Sequence, residues 1–243
     1  MANLFSRKAK DREEDWNIRT MFGPNLNFAA TEAYKLLRTN VMFSFPNEGS
    51  CHVIGITSSV QGEGKSSTAC NMAYALAEVG ESVLLLEADL RRPTIASKLG
   101  LARSPGVSNL LVSRQDYHEA IQQCAMAPSL HIITSGDIPP NPSELLGSNR
   151  MARLLEQLKK EYDYIIIDLP PVTAVSDAVA ASKLMDGVAI VVRGEVADQK
   201  MLAETMRQLN MVNVRILGFI YREADGKAGK AGKYYKKYYK DYN

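Results

Sequence analysis

The sequence predicts an α/β domain built on a doubly wound, mostly parallel sheet. Six short apolar runs recur, at residues 52–57, 82–87, 130–134, 164–168, 187–192 and 215–221. Segments with helical periodicity separate them, at 66–79, 143–160, 177–184 and 198–211. Strands that are apolar on both faces, with helices between them, belong to parallel sheets covered on both sides.

The elements follow in order. Residues 1–29 are polar, mixed in charge and contain the turn signal Gly23-Pro24-Asn25, so they read as a flexible N-terminal arm. Residues 31–43 read as a helix with Thr31 as its N-cap and a stripe of Ala33, Leu36, Leu37 and Val41. The domain proper is expected over 30–222. Beyond it, 223–243 form a tail: a Gly/Lys/Ala spacer at 226–232, then a cluster of tyrosines and lysines.

Bulk composition narrows the function. Net charge is only +2, which gives no reason to expect a nucleic-acid or anionic-membrane binder overall. The charge is uneven: from Arg222 onward seven basic residues face three acids. Three widely spaced cysteines, Cys51, Cys70 and Cys124, lack metal-ligand spacing and fit a reducing compartment. No apolar run approaches the ~20 residues needed to span a bilayer, and the first residues lack a secretion signal. The expected location is cytoplasmic.

Chemistry concentrates first in Ser59-Val-Gln61-Gly62-Glu63-Gly64-Lys65-Ser66-Ser67, between a predicted strand and a predicted helix. That context is what a phosphate-binding P-loop requires. Glycines at 62 and 64 let backbone N–H groups turn toward phosphate oxygens, and the helix start adds its positive dipole end. Lys65 would reach the β and γ phosphates of ATP, and Ser66 would ligate Mg²⁺. The fold is therefore expected to be of the P-loop NTPase type. Its first loop position is Ser59 where the general pattern has Gly.

Two acidic segments complete the predicted site. The apolar strand 164–168 ends in Asp168, where an open parallel sheet presents its ligand crevice. The run 83–93 carries Glu87 and Asp89, two apart, so an extended chain would turn both carboxylates to one face. They would share metal binding, through Asp89, and proton acceptance from a hydroxyl nucleophile. An ion pair with Arg91 or Arg92 is the alternative reading. Arg222, after the last strand, is the candidate for adenine contact.

Together these motifs resemble the bacterial tyrosine kinases of capsule and exopolysaccharide synthesis. Further stretches match: Glu32-Ala-Tyr-Lys35-Leu-Leu-Arg38 is similar to the family's oligomerisation helix, 136–146 to its Pro-rich loop, and 234–242 to its terminal tyrosine cluster. In the Pro-rich loop Asn141, Pro142 and Glu144 also fit a helix start with a capping box. The resemblance implies catalysis by Lys65, Glu87, Asp89 and Asp168, and a homo-oligomeric ring held by Glu32, Lys35 and Arg38. It also implies a transmembrane activator of the polysaccharide co-polymerase type that recruits the chain to the membrane, other protein-tyrosine substrates and a cognate tyrosine phosphatase. The sequence departs from the family at Glu87, usually Asp, and at Lys35, usually Arg.

In that light Tyr234, Tyr235, Tyr238, Tyr239 and Tyr242 read as autophosphorylation targets. The spacer of about eleven residues gives a reach of roughly 17–20 Å. An interfacial helix is the competing reading of the same tyrosines and lysines. At the level of the whole chain, a partitioning-type ATPase switch and a non-catalytic ATP-binding regulator are the alternatives.

Overall fold

A computed structural model of the chain describes residues 22–222, apart from 46–49, 114 and 195. The strands are β1 (His52–Ser58), β2 (Val83–Glu87), β3 (Gln122–Gln123), β4 (Leu130–Ile133), β5 (Tyr164–Asp168), β6 (Gly187–Arg193) and β7 (Ile216–Arg222). They form one sheet in the order β3-β4-β2-β5-β1-β6-β7, parallel except for β3. The helices are α1 (Phe28–Ser44), α2 (Lys65–Ala77), α3 (Ile95–Leu99), α4 (Val107–Val112), α5 (Pro142–Leu146), α6 (Asn149–Leu158), α7 (Asp177–Ser182) and α8 (Gln199–Met211).

Side chains of each central strand alternate between two separate cores. Leu84, Leu86, Ile165 and Ile167 enter one cluster; Val83, Leu85, Tyr164 and Ile166 enter the other. A strand buried on both faces has no polar side to spare, which is why these runs are almost wholly apolar. The sheet is thus doubly wound, as expected. β1 lies between β5 and β6, so chains leave it toward both edges, and the crevice at its carboxyl end is the natural place for a ligand.

Local polar chemistry moves several boundaries. The helical segment 143–160 is two helices, because the Ser148 hydroxyl accepts from the Met151 N–H and caps a fresh start. The strand β3 is two polar residues at the sheet edge, too short to leave a periodic signal. Short helices α3 and α4 were likewise invisible to periodicity. Thr31 is not the N-cap: the Asn27 side chain accepts from Ala30 N–H at 2.9 Å and starts the helix at Phe28.

The boundary of the N-terminal arm also shifts. Phe22 is 3% exposed within the second core, and Gly23 N–H donates to Asn71 Oδ1 at 2.9 Å. Phe22 and Gly23 therefore pack on the domain instead of belonging to a free arm. Replacing Phe22 by Ala should cost about 3–5 kcal/mol, as expected for emptying an aromatic site. Urea unfolding midpoints of the two proteins check this; equal midpoints would return Phe22 to the arm.

Candidate active site

The phosphate-loop segment runs from the end of β1 at Ser58 to the start of α2 at Lys65. Gly62 and Gly64 have φ of 90° and 91°, the left-handed region that favours glycine. At Gly64 a Cβ would fall 1.6 Å from Arg222 Nη1, so a side chain there would also displace that guanidinium. The rest of the loop is tied down. Ser59 is buried, and its carbonyl accepts from the Thr173 hydroxyl at 2.6 Å. Glu63 is fully buried; its carboxylate accepts from Val60 N–H at 2.9 Å and Arg193 N–H at 3.4 Å. Gln61 Oε1 accepts from Arg92 Nη1 at 2.6 Å. Ser66 and Ser67 lie in the first turn of α2, Ser66 buried.

The lysine sits between carboxylates. Lys65 Nζ donates to Asp89 Oδ2 at 2.7 Å, lies 3.5 Å from Asp168 Oδ1, and is 3.3 Å from the Ser66 hydroxyl. Burial pushes the ammonium pKa down, but Asp168 and Asp89 outweigh burial and hold it above its ordinary value. Asp168 is fully buried, and burial raises its pKa despite the neighbouring lysine. Its Oδ2 atom is buried without a hydrogen-bond partner. β2 and β5 are adjacent, with Glu87 in register with Asp168, which is how residues 79 apart in sequence from Asp89 to Asp168 arrive at one crevice.

Glu87 and Asp89 do not share a face. Glu87 Oε1 accepts from the N–H groups of Thr94 and Ile95, both at 2.6 Å, and Oε2 accepts from Ser135 N–H at 3.1 Å. The strand ends at Glu87, so the alternation that would have paired it with Asp89 stops there. Burial raises the Glu87 pKa, opposed by its three backbone donors. Asp89 instead turns toward Lys65, and its Oδ1 accepts from Arg92 N–H at 3.1 Å. Neither arginine of this segment pairs with its carboxylates through a side chain: Arg91 makes a two-pronged pair with buried Asp177, at 2.8 and 3.1 Å.

Other expected residues fall as follows. Arg222 Nη1 donates to the Gly64 carbonyl at 3.2 Å, on the phosphate loop itself. Asn141 does not cap α5; its amide donates to Glu144 Oε2 at 2.7 Å, while Ser143 binds Asp177 and Ser176. Glu32 and Lys35 pair with each other at 2.9 Å, and Arg38 donates to the Ala75 carbonyl at 2.9 Å, seating α1 on α2. The tail tyrosines lie outside the described residues. Sequence reading missed Arg193, Thr173 and Asp177. Arg193 alone had a signal, as a cation at the carboxyl end of a strand.

The donor set fits a magnesium ion. Asp168 offers an unpartnered buried oxygen, with Asp89 and the Ser66 hydroxyl nearby. Among the described residues no group of three or more His, Cys, Asp or Glu is placed to hold a metal ion. Two carboxylates and a hydroxyl suit a cation that arrives with phosphate oxygens and keeps several waters, which is the habit of Mg²⁺.

Residues 51–216 match the family model described as an AAA domain. Tyrosine-protein kinase YwqD of Bacillus subtilis is 35% identical over 215 residues, covering 88% of this chain and 89% of that protein. The crystal structure of the chimerical protein CapA2B2 superposes with a TM-score of 0.74 at 34% identity, covering 80% of this chain and 84% of the other. The kinase domain of the Escherichia coli tyrosine kinase ETK gives 0.77 at 31%, covering 83% and 78%. A relative matched over nearly its whole length, a phosphate loop and a strand-end aspartate beside its lysine leave one family: the chain belongs to the bacterial tyrosine-protein kinases, on a nucleotide-binding P-loop domain.

Proposed function

We propose that the chain binds Mg-ATP at residues 59–67 and transfers the γ-phosphoryl group to tyrosine, including Tyr234, Tyr235, Tyr238, Tyr239 and Tyr242 of a neighbouring copy. The observation that carries this is Lys65 Nζ held 2.7 Å from Asp89 and 3.5 Å from Asp168 at the mouth of the glycine loop. Phosphoryl transfer asks a protein mainly for positioning and for charge opposite the phosphate oxygens. The loop N–H groups and Lys65 supply both. Ser66, Asp89 and Asp168 would hold Mg²⁺, which supplies charge neutralisation between the phosphates. As the phenol oxygen bonds to phosphorus and the bond to the β-phosphate oxygen breaks, the phenol proton passes to Asp89. Glu87, committed to three backbone N–H groups, braces the segment that carries Asp89.

In this reading the activity serves polysaccharide synthesis and export, with a transmembrane co-polymerase-type activator as membrane anchor and a phosphatase as its counterpart. No helix among the described residues is long and apolar enough to cross a membrane. Ring assembly through Glu32, Lys35 and Arg38 requires Arg38 to serve a neighbour while keeping its bond to Ala75, or to exchange it.

Purified chain with Mg-ATP and an activating partner should give a phosphotyrosine signal on a blot, and Lys65→Met should abolish it. No signal from either protein would favour an ATPase switch or a regulator.

Glu87→Gln places an amide N–H against backbone donors, and Glu87→Asp falls short of them. Each should cost about 1–3 kcal/mol of stability and lower kinase activity alike. An Asp variant more active than the original chain would give position 87 a direct role in the chemistry.

Lys65 also holds the place of a cation between Asp89 and Asp168. Without nucleotide, Lys65→Ala should bind Mn²⁺ at least about tenfold more tightly than the original chain, because two carboxylates lose their buried partner. Titration followed by electron paramagnetic resonance measures this, and equal affinities would refute it.

A further inference from the structure

An anion cradle works only if its backbone N–H groups face inward, which forces the carbonyls of the same peptide units outward. Outward carbonyls in a glycine-rich loop are free to flip back unless something holds them. The first turn of α2 holds one of them, the Gly64 carbonyl, which accepts from Thr68 N–H at 2.9 Å, and two arginines add side-chain donors. Arg193 Nη1 lies 3.3 Å from the Gly62 carbonyl and Arg222 Nη1 lies 3.2 Å from the Gly64 carbonyl. Both residues close adjacent parallel strands, β6 and β7, and are in register with each other. The same strand end anchors the loop again through Arg193 N–H, which donates to buried Glu63. The two glycines they hold are the two of this loop, both with left-handed φ, where the backbone is least constrained by its own side chains.

We infer that Arg193 and Arg222 are positioning residues for nucleotide binding: they keep the Gly62 and Gly64 carbonyls turned out, so that the loop is preformed for phosphate before ATP arrives. The inference rests on the reading of residues 59–67 as an ATP site and extends it. It also reassigns Arg222, which the sequence placed at the adenine; its guanidinium is committed to the loop backbone. Preorganisation of this kind lowers the ordering cost of binding and leaves the transfer step unchanged once ATP is bound.

Arg193→Ala and Arg222→Ala should each weaken binding of both ATP and inorganic tripolyphosphate by roughly tenfold to a hundredfold, the range for hydrogen bonds that involve a charged group. KM for ATP should rise in step, kcat at saturating ATP should hold within about twofold, and thermal unfolding should be nearly unmoved. Arg222→Lys, which keeps one donor, should recover part of the loss for both ligands. Weakened ATP binding with unchanged tripolyphosphate binding would overturn the inference and return Arg222 to the nucleoside. A fall in kcat with unchanged affinity, or no change in either ligand, would overturn it as well. Failure of the original chain to bind either ligand would instead refute the ATP site itself.

Discussion

One ammonium group between two buried carboxylates organises this crevice. Lys65 meets Asp89 and Asp168 at side-chain exposures of 11%, 7% and 0%. Charges so far from water are tolerable only in each other's company, since the loss of one partner leaves the others desolvated and unpaired. That requirement reaches well into the fold. It needs β2 beside β5 so that their ends coincide, and it needs β1 beside β5 so that the helix starting at Lys65 opens toward them.

The same helix connects the crevice to the surface. α2 carries Lys65 and Ser66 at its start, and near its end the Ala75 carbonyl and Glu78 receive Arg38 of α1. Ten of its thirteen residues are buried, so it behaves as a rod packed between sheet and α1. The segment read from sequence as an assembly helix therefore rests directly on the element that presents Lys65.

Much of this was legible in the sequence because the signals were local or periodic. The strand ending at Asp168 was readable as four apolar residues and a carboxylate, and its bounds agree with the structure. The glycine loop was readable because positive φ leaves few alternatives to Gly at 62 and 64. What escaped depended on the path of the chain between elements. The partners of Glu87 are backbone N–H groups of residues 94, 95 and 135, whose positions follow from the turn after Asp89 and from the pairing of β2 with β4. No spacing rule contains them. Thr173 escaped for the same reason, since it meets the loop only after the sheet has formed.

The acids around the loop are disposed unequally. Four carboxylates lie in or next to it: Glu63, Glu87, Asp89 and Asp168, all buried. Left equal, they would repel triphosphate strongly in a medium of low polarity. They are not equal. Glu63 and Glu87 are turned away and taken up by backbone N–H groups, two for the first and three for the second. Only Asp89 and Asp168 face the lysine. Glu87 reaches the N–H groups of Thr94 and Ile95 at the start of α3 and that of Ser135. Its negative charge therefore lies away from Lys65 and holds the backbone around the crevice in place.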